Sequence, residues 1–157
     1  MKQEIETLPM QKVVYMRNVG PYGSKENFEM MRTFKKWIKD NHLENDLNES
    51  GILGIPLDDP QNTPPEACRY DLALFVSGAY VSHGLVQERL YTGGTYVIFE
   101  VPHITEAVET FWLTIDKKMK EKQLKLRKSP IIERFKTTIG TEQVCEFLVP
   151  IEKYLPI

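Results

Sequence analysis

The 157-residue chain has only two cysteines, Cys68 and Cys145. They sit in separate strand-like runs, without the short paired spacing of a zinc site or a redox motif. That usage fits a reducing, cytoplasmic compartment. Long hydrophobic runs are also missing: nowhere do about 18 consecutive apolar residues occur, and Met1 to Glu6 lacks the apolar core of a signal peptide. The sequence therefore points to a soluble internal protein with no membrane contact. An excess of one charge is lacking too. Lys and Arg number 20 against 22 Asp and Glu, giving a net charge of -2 with the signs interspersed, which argues against a nucleic-acid-binding surface. The densest basic cluster, Lys117 to Lys128, is broken by Glu121 and reads as a solvated helix end.

Several chemistries lack their residues. His42, His83 and His103 are isolated, with no second His or Cys at ligand spacing, so no metal and no cofactor are expected. No Ser or Cys stands in a nucleophile elbow, and Gly93-Gly94 lacks the rest of a phosphate-binding loop and reads as a hairpin turn.

What is there is ordinary globular protein, 41% hydrophobic and 27% charged, enough for one domain or two intimately packed halves. A strand is expected over Lys12 to Val19, stopped by Gly20-Pro21, with Ser24 placed to cap a helix running from Lys25 to His42. Its apolar stripe is Phe28, Met31, Phe34, Trp37 and Ile38. Strands at Gly51 to Pro56 and Arg69 to Val76 follow. The order then repeats: strands at Leu85 to Tyr91 and Thr95 to Val101, a helix from Ile104 to Gln123, and strands at Ile131 to Lys136 and Val144 to Ile151. The second helix carries Val108, Phe111, Trp112, Ile115 and Met119 on one face. A shift of 81 residues pairs Tyr15 with Tyr96, Lys36 with Lys117, Lys39 with Lys120 and Leu43 with Leu124. The expectation is an α+β fold: a strand-helix-strand-strand unit used twice, about 1–80 and 81–157, in one domain sharing one antiparallel sheet. Two helices must bury their stripes on that sheet, leaving a central groove at the seam between halves.

Glu133 stands out within Ile131-Ile132-Glu133-Arg134-Phe135, where it shares alternation parity with Ile131 and Phe135. A carboxylate directed into an apolar face has two readings: a pocket that receives a cation or hydrogen-bond donor, or the inward-pointing charge by which edge strands resist aggregation. The chain also has 7 Tyr, 7 Phe and 2 Trp, whose ring faces attract cations and wall planar ligands. Trp112, Tyr70 and Tyr96 are candidates for such walls, though aromatics at this spacing are more often core. Arg69 and Asp71, flanking Tyr70, read as charges that each pair with a residue on a neighbouring strand.

These residues resemble the GyrI-like small-molecule-binding family, which includes effector-binding domains of bacterial multidrug-responsive transcription activators. The resemblance rests on Arg17-Asn18-Val19-Gly20-Pro21-Tyr22, Thr63 to Asp71, Gly93-Gly94-Thr95-Tyr96-Val97-Ile98-Phe99, Pro130 to Phe135 and the closing strand. It implies a duplicated fold whose groove holds the acid matching Glu133, with Phe135 on the same face, Leu148 approaching the same region, and Tyr70 and Tyr96 matching recurring tyrosines. Two departures are Glu100-Val101-Pro102-His103-Ile104 after Phe99, with Glu100 expected in solvent, and the long basic connection Lys120 to Lys128. With no helix-turn-helix ahead of the first strand, a free-standing binding domain is expected.

The leading expectation is thus a cytoplasmic small-molecule-binding protein that senses or sequesters lipophilic, cationic or aromatic compounds, a regulator-like or detoxifying role. The resemblance also implies two alternatives. One is a hydrolase opening strained cyclopropane rings of DNA-alkylating natural products, with Glu133 as general base, Tyr70 or Tyr96 as donor to a leaving oxygen and Trp112 as stacking surface. The other is inhibition of DNA gyrase by direct contact. A monomer is favoured over a homodimer.

Overall fold

The computed structural model describes residues 3–78, 84–136 and 144–152; His83 lies outside them. Eight strands form one sheet: β1 (Gln3–Leu8), β2 (Gln11–Val19), β3 (Ile52–Pro56), β4 (Arg69–Phe75), β5 (Gln87–Tyr91), β6 (Gly94–Pro102), β7 (Ile132–Phe135) and β8 (Val144–Pro150). Three α-helices accompany them, α1 (Lys25–Asp40), α2 (Glu44–Ser50) and α3 (Thr105–Glu121). The strand order is β1-β6-β8-β7-β3-β4-β2-β5, with every pairing antiparallel. No helix among the described residues is long and apolar enough to cross a membrane.

The order is a palindrome of two four-strand units that exchange their outermost strands: β1 pairs with β6 of the second half, and β5 with β2 of the first. The register carries the repeat. Tyr15 stands opposite Gln87, and Tyr96 opposite Glu6, so the same 81-residue shift converts one pair into the other. The helix ends repeat as well. His42 (φ 58°) and Gln123 (φ 57°) are left-handed residues, each followed by a leucine whose N–H reaches five residues back, Leu43 to the Ile38 carbonyl and Leu124 to the Met119 carbonyl, both at 3.0 Å. With the His42 to Lys39 and Gln123 to Lys120 bonds, each is a Schellman ending whose leucine packs against the helix it closes. The identities Lys39/Lys120 and Leu43/Leu124 thus mark equivalent stops. α1 ends at Asp40, short of the expected His42, and the short α2 that follows buries Leu47. Ser24 occupies the N-cap position of α1, but its hydroxyl makes no capping bond.

The sheet curls. Leu8 of β1 and Tyr91 of β5, from its two outermost strands, join one buried cluster with Leu53, Ile132 and Leu148, and the Tyr91 and Tyr96 hydroxyls share a hydrogen bond. In a flat sheet, six strand spacings of about 4.8 Å would hold β5 and β6 roughly 29 Å apart. The back face therefore closes on itself as a half-barrel, while the helices cover the front. α1 packs Met30, Phe34 and Ile38 over β2 and β4, and α3 packs Phe111, Ile115 and Met119 over β6 and β8.

Gly93-Gly94 is not a hairpin turn, because β5 and β6 pair with other strands. It carries the chain across from one outer position to another. Gly93 (φ 77°) passes so close to the corresponding β1–β2 crossing that a Cβ there would lie 2.6 Å from the Leu8 carbonyl oxygen. That contact and the left-handed backbone both demand glycine.

Candidate functional site

β7 is a central strand between β8 and β3, so the edge-strand reading of Glu133 does not hold. Residues directly opposite in an antiparallel ladder share a face. Glu133 faces Phe147 on β8 and Gly54 on β3, and all three open onto the front of the sheet, where neither α1 nor α3 covers the seam. A cavity of about 530 Å³ fills this gap, within the range typical of small-molecule sites. Its floor includes Gly54, Tyr70, Leu72, Glu133, Phe135 and Phe147.

The walls come from equivalent positions of the two helices. Asn27 and Met31 of α1 face Val108 and Trp112 of α3 across the cavity, each pair related by the same 81-residue shift. The expected stripes are therefore rotated. The core takes Met30, Phe34 and Ile38, while Phe28 and Trp112, 68% and 47% exposed, stand at the cavity instead. Asn18 fixes Asn27 by donating from Nδ2 to its Oδ1 at 2.9 Å. Tyr22 closes one end; its hydroxyl reaches the Asp58 and Arg69 carbonyls at 2.9 and 3.0 Å, and its ring meets Tyr70 edge-on at 6.2 Å.

Gly54 is the residue that makes room for the floor. A Cβ there would collide with the Tyr70 hydroxyl and lie 3.0 Å from the Phe135 ring, so the absent side chain lets Tyr70 lean over β3 toward Glu133. An isolated glycine inside a strand pattern is a signal of close approach, although Gly54 was not singled out by the sequence reading; neither were Tyr22, Asn27 and Phe147, and His103 was weighed only as a metal ligand.

Electrostatically, the lining is apolar and aromatic apart from Asn27, the tyrosine hydroxyls, one acid, Glu133, and one base, His103. Burial raises the Glu133 carboxyl above the ordinary carboxylate range, and His103 partly offsets the rise. Burial also lifts the Tyr70 phenol, with the Glu133 charge adding to the effect, so Tyr70 stays protonated at neutral pH. On the same face, beneath α3, burial and the same negative charge push the Cys145 thiol up to about 11; its sulfur contacts the Val101 carbonyl oxygen at 3.4 Å.

Of the six expected site residues the structure brings four together: Glu133, Phe135, Tyr70 and Trp112. Tyr96 and Leu148 are corrected. Leu148 stands opposite Ile132, one position out of phase with the Phe147 to Glu133 pair, and both Leu148 and Tyr96 lie in the back-face core. Tyr96 is held there by Tyr91 and by the Arg127 guanidinium over its ring. Asp71 does pair across to the neighbouring strand: fully buried, it receives Arg17 from β2 and, from β5 one strand further out, Arg89, while Arg69 binds Asp58 in the loop after β3. Glu100 sits opposite Glu146 and away from the cavity. The basic connection after α3 lies along the end of β8 through the Arg127 to Pro150 and Glu152 to Lys125 backbone bonds, and residues 120–130 contribute nothing to the cavity wall.

The family model of the GyrI-like small molecule binding domain matches residues 1–152. The chain belongs to the GyrI-like family. Among curated relatives, YosT, an SPbeta prophage-derived protein of Bacillus subtilis (strain 168) with an ascribed transcriptional-regulator role, is 41% identical over 97% of this chain and 100% of its own. YgiV of Escherichia coli (strain K12), with a similar ascription, is 32% identical over 79% of this chain and 77% of its own. Among solved structures, SAV2435 bound to tetraphenylphosphonium superposes with a TM-score of 0.59 at 16% identity, covering 97% of this chain and 94% of that one. A hydrolase from Listeria innocua gives a TM-score of 0.63 at 9% identity, covering 96% and 92%. At these identities the two structures share the fold alone with this GyrI-like domain.

Proposed function

We propose that the seam cavity takes lipophilic, cationic or aromatic small molecules, with Glu133 meeting the positive charge while Phe28, Trp112, Tyr70 and Phe135 cover the apolar body. The observation that carries this reading is a half-buried acid in an otherwise aromatic floor. A carboxylate there is poorly solvated, so a ligand cation regains for it part of what water would have supplied. Rings around the site add cation–π attraction of about 0.5 to 2 kcal/mol. Tetraphenylphosphonium in SAV2435, a protein of this fold, is a ligand of this chemistry. In the cytoplasm, such binding serves to sense or sequester the compound.

Hydrolysis is the second reading, favoured by Tyr70. A protonated phenol within electrostatic reach of an acid with a raised pKa pairs a hydrogen-bond donor with a general base able to activate water. With a cyclopropane conjugated to a carbonyl stacked on Trp112, that water, giving its proton to Glu133, would attack a ring carbon, the C–C bond would break with its electron pair passing to the carbonyl, and Tyr70 would donate to the carbonyl oxygen as it gains negative charge; Tyr96, on the other face, is excluded from that role. A hydrolase from Listeria innocua shares the fold.

One experiment separates the two. Wild type and Glu133→Gln are incubated with tetraphenylphosphonium, a neutral analogue and a cyclopropane-bearing alkylating agent, with binding followed by calorimetry and compound loss by mass spectrometry. Cation binding weakened by the substitution, without compound loss, supports the binder. Turnover abolished by the substitution, with substrate still bound, supports the hydrolase. Identical behaviour of the two proteins overturns both.

A further inference from the structure

The cavity holds its acid and its base on different elements. Glu133 is on the floor strand β7, and His103 is exposed where the chain leaves β6 for α3, at the mouth of the same cavity. The other polar groups lining the cavity, Tyr22 from the loop before α1, Asn27 from α1 and Tyr70 from β4, are uncharged near neutral pH, as is Cys145 on β8, which lies on the same face of the sheet beneath α3. α3 brings only Val108 and Trp112 to the lining. Among the described residues, no other carboxylate, imidazole or basic side chain lines the cavity.

We propose that His103 is a specificity-determining residue that acts with Glu133 to select the charge of the ligand: the cavity prefers cations to neutral molecules when the pair holds no proton and loses that preference when it holds one. This rests on the cavity being the binding site proposed above. With no proton, the pair carries one negative charge and a cation completes it. With one proton the pair is neutral wherever that proton sits, because a carboxylate beside an imidazolium and a carboxylic acid beside an imidazole have the same net charge. An incoming cation must then displace the proton or face an imidazolium at the mouth. The reach of His103 to Glu133 is visible in its opposition to the burial-driven rise of the Glu133 carboxyl.

The test titrates tetraphenylphosphonium and neutral triphenylphosphine oxide into wild type, His103→Gln and Glu133→Gln by calorimetry. His103 is exposed, so its replacement leaves the fold intact. At about pH 6, His103→Gln is expected to bind the phosphonium roughly tenfold more tightly than wild type, and the two should converge near pH 8.5. The phosphine oxide should bind wild type and His103→Gln alike. Carboxyl carbon NMR of ligand-free protein gives an independent readout: Glu133 should titrate at higher pH in His103→Gln than in wild type. Superimposable phosphonium profiles in wild type and His103→Gln overturn the proposal. If no protein binds phosphonium at any pH, the binding reading fails, and the carboxyl titration alone decides whether His103 and Glu133 act together: a shift supports the pairing and its absence overturns it.

Discussion

The Tyr70 hydroxyl occupies the space in which a side chain on Gly54 would begin. The two residues lie on neighbouring strands, β3 and β4, and their fit sets the depth of the cavity floor beside Glu133. Gly54→Ala is therefore expected to force the Tyr70 ring outward, destabilising the protein by about 1 to 3 kcal/mol, as overpacking does. Removing the hydroxyl in the Gly54→Ala/Tyr70→Phe double variant should restore part of that loss. Chemical denaturation of the four proteins measures the coupling, and strictly additive effects would show that the close approach does not matter.

Glu133 makes stability depend on pH with a definite sign. Its folded carboxyl lies above the ordinary value of 4.5, so over a window starting near that value the folded protein keeps a proton that the unfolded chain has released. The stabilisation is present below the unfolded value and is lost as pH rises through the folded one. Glu133→Gln imitates the protonated form at every pH. Melting curves should therefore show wild type losing stability relative to Glu133→Gln as the pH rises from about 4 towards neutrality; a difference that stays flat or reverses refutes the account.

Arg134, the next residue along β7, serves the opposite face. It is 5% exposed and holds Glu146 of β8 at 3.0 Å and Glu6 of β1 at 2.8 Å, tying an outermost strand of the curled sheet to its centre. Arg134→Ala leaves Glu146 buried without its main partner and should destabilise by about 3 kcal/mol, as breaking a buried pair does. Under conditions where the variant is folded, phosphonium affinity should be unchanged, since the guanidinium faces away from the cavity. A selective loss of binding without loss of stability in urea titrations would contradict this division of faces.

The two tryptophans offer a direct test of occupancy. Trp112 lines the cavity, whereas Trp37, also on a helix but outside the lining, stacks on Phe34 of its own helix α1 at 6.1 Å. A ligand in the cavity should change the fluorescence of wild type and Trp37→Phe but much less that of Trp112→Phe. If Trp37→Phe silenced the signal instead, the ligand would be bound elsewhere.

Much of the fold was legible because its signals are local. Period-two alternation marked β2, strand-like runs marked β4, β6 and β8, three- and four-residue spacing marked α1 and α3, and the 81-residue echo marked the duplication. Three features escaped. β1 is a polar strand whose pairing comes from the other half of the chain, and α2 is a short helix whose burial rests on Leu47. The Gly93-Gly94 crossing looks like a hairpin because two strands flank it in sequence, although their partners lie elsewhere.

The site divides in the same way. Alternation alone put Glu133, Ile131 and Phe135 on one face, and the chemistry of a carboxylate among apolar neighbours made that face a candidate. Parity within one strand, however, says nothing about its phase against the next. Phe147 and Leu148 were equally eligible until the β7–β8 register placed Phe147 with Glu133 and Leu148 behind it. Sequence by itself determined the repeat, the helices and the unusual acid, because these depend on residues close along the chain. Only the tertiary structure decided that β7 is central, that Gly54 yields its space to Tyr70, and that His103 shares a cavity with Glu133, because each depends on pairings between residues far apart in the chain.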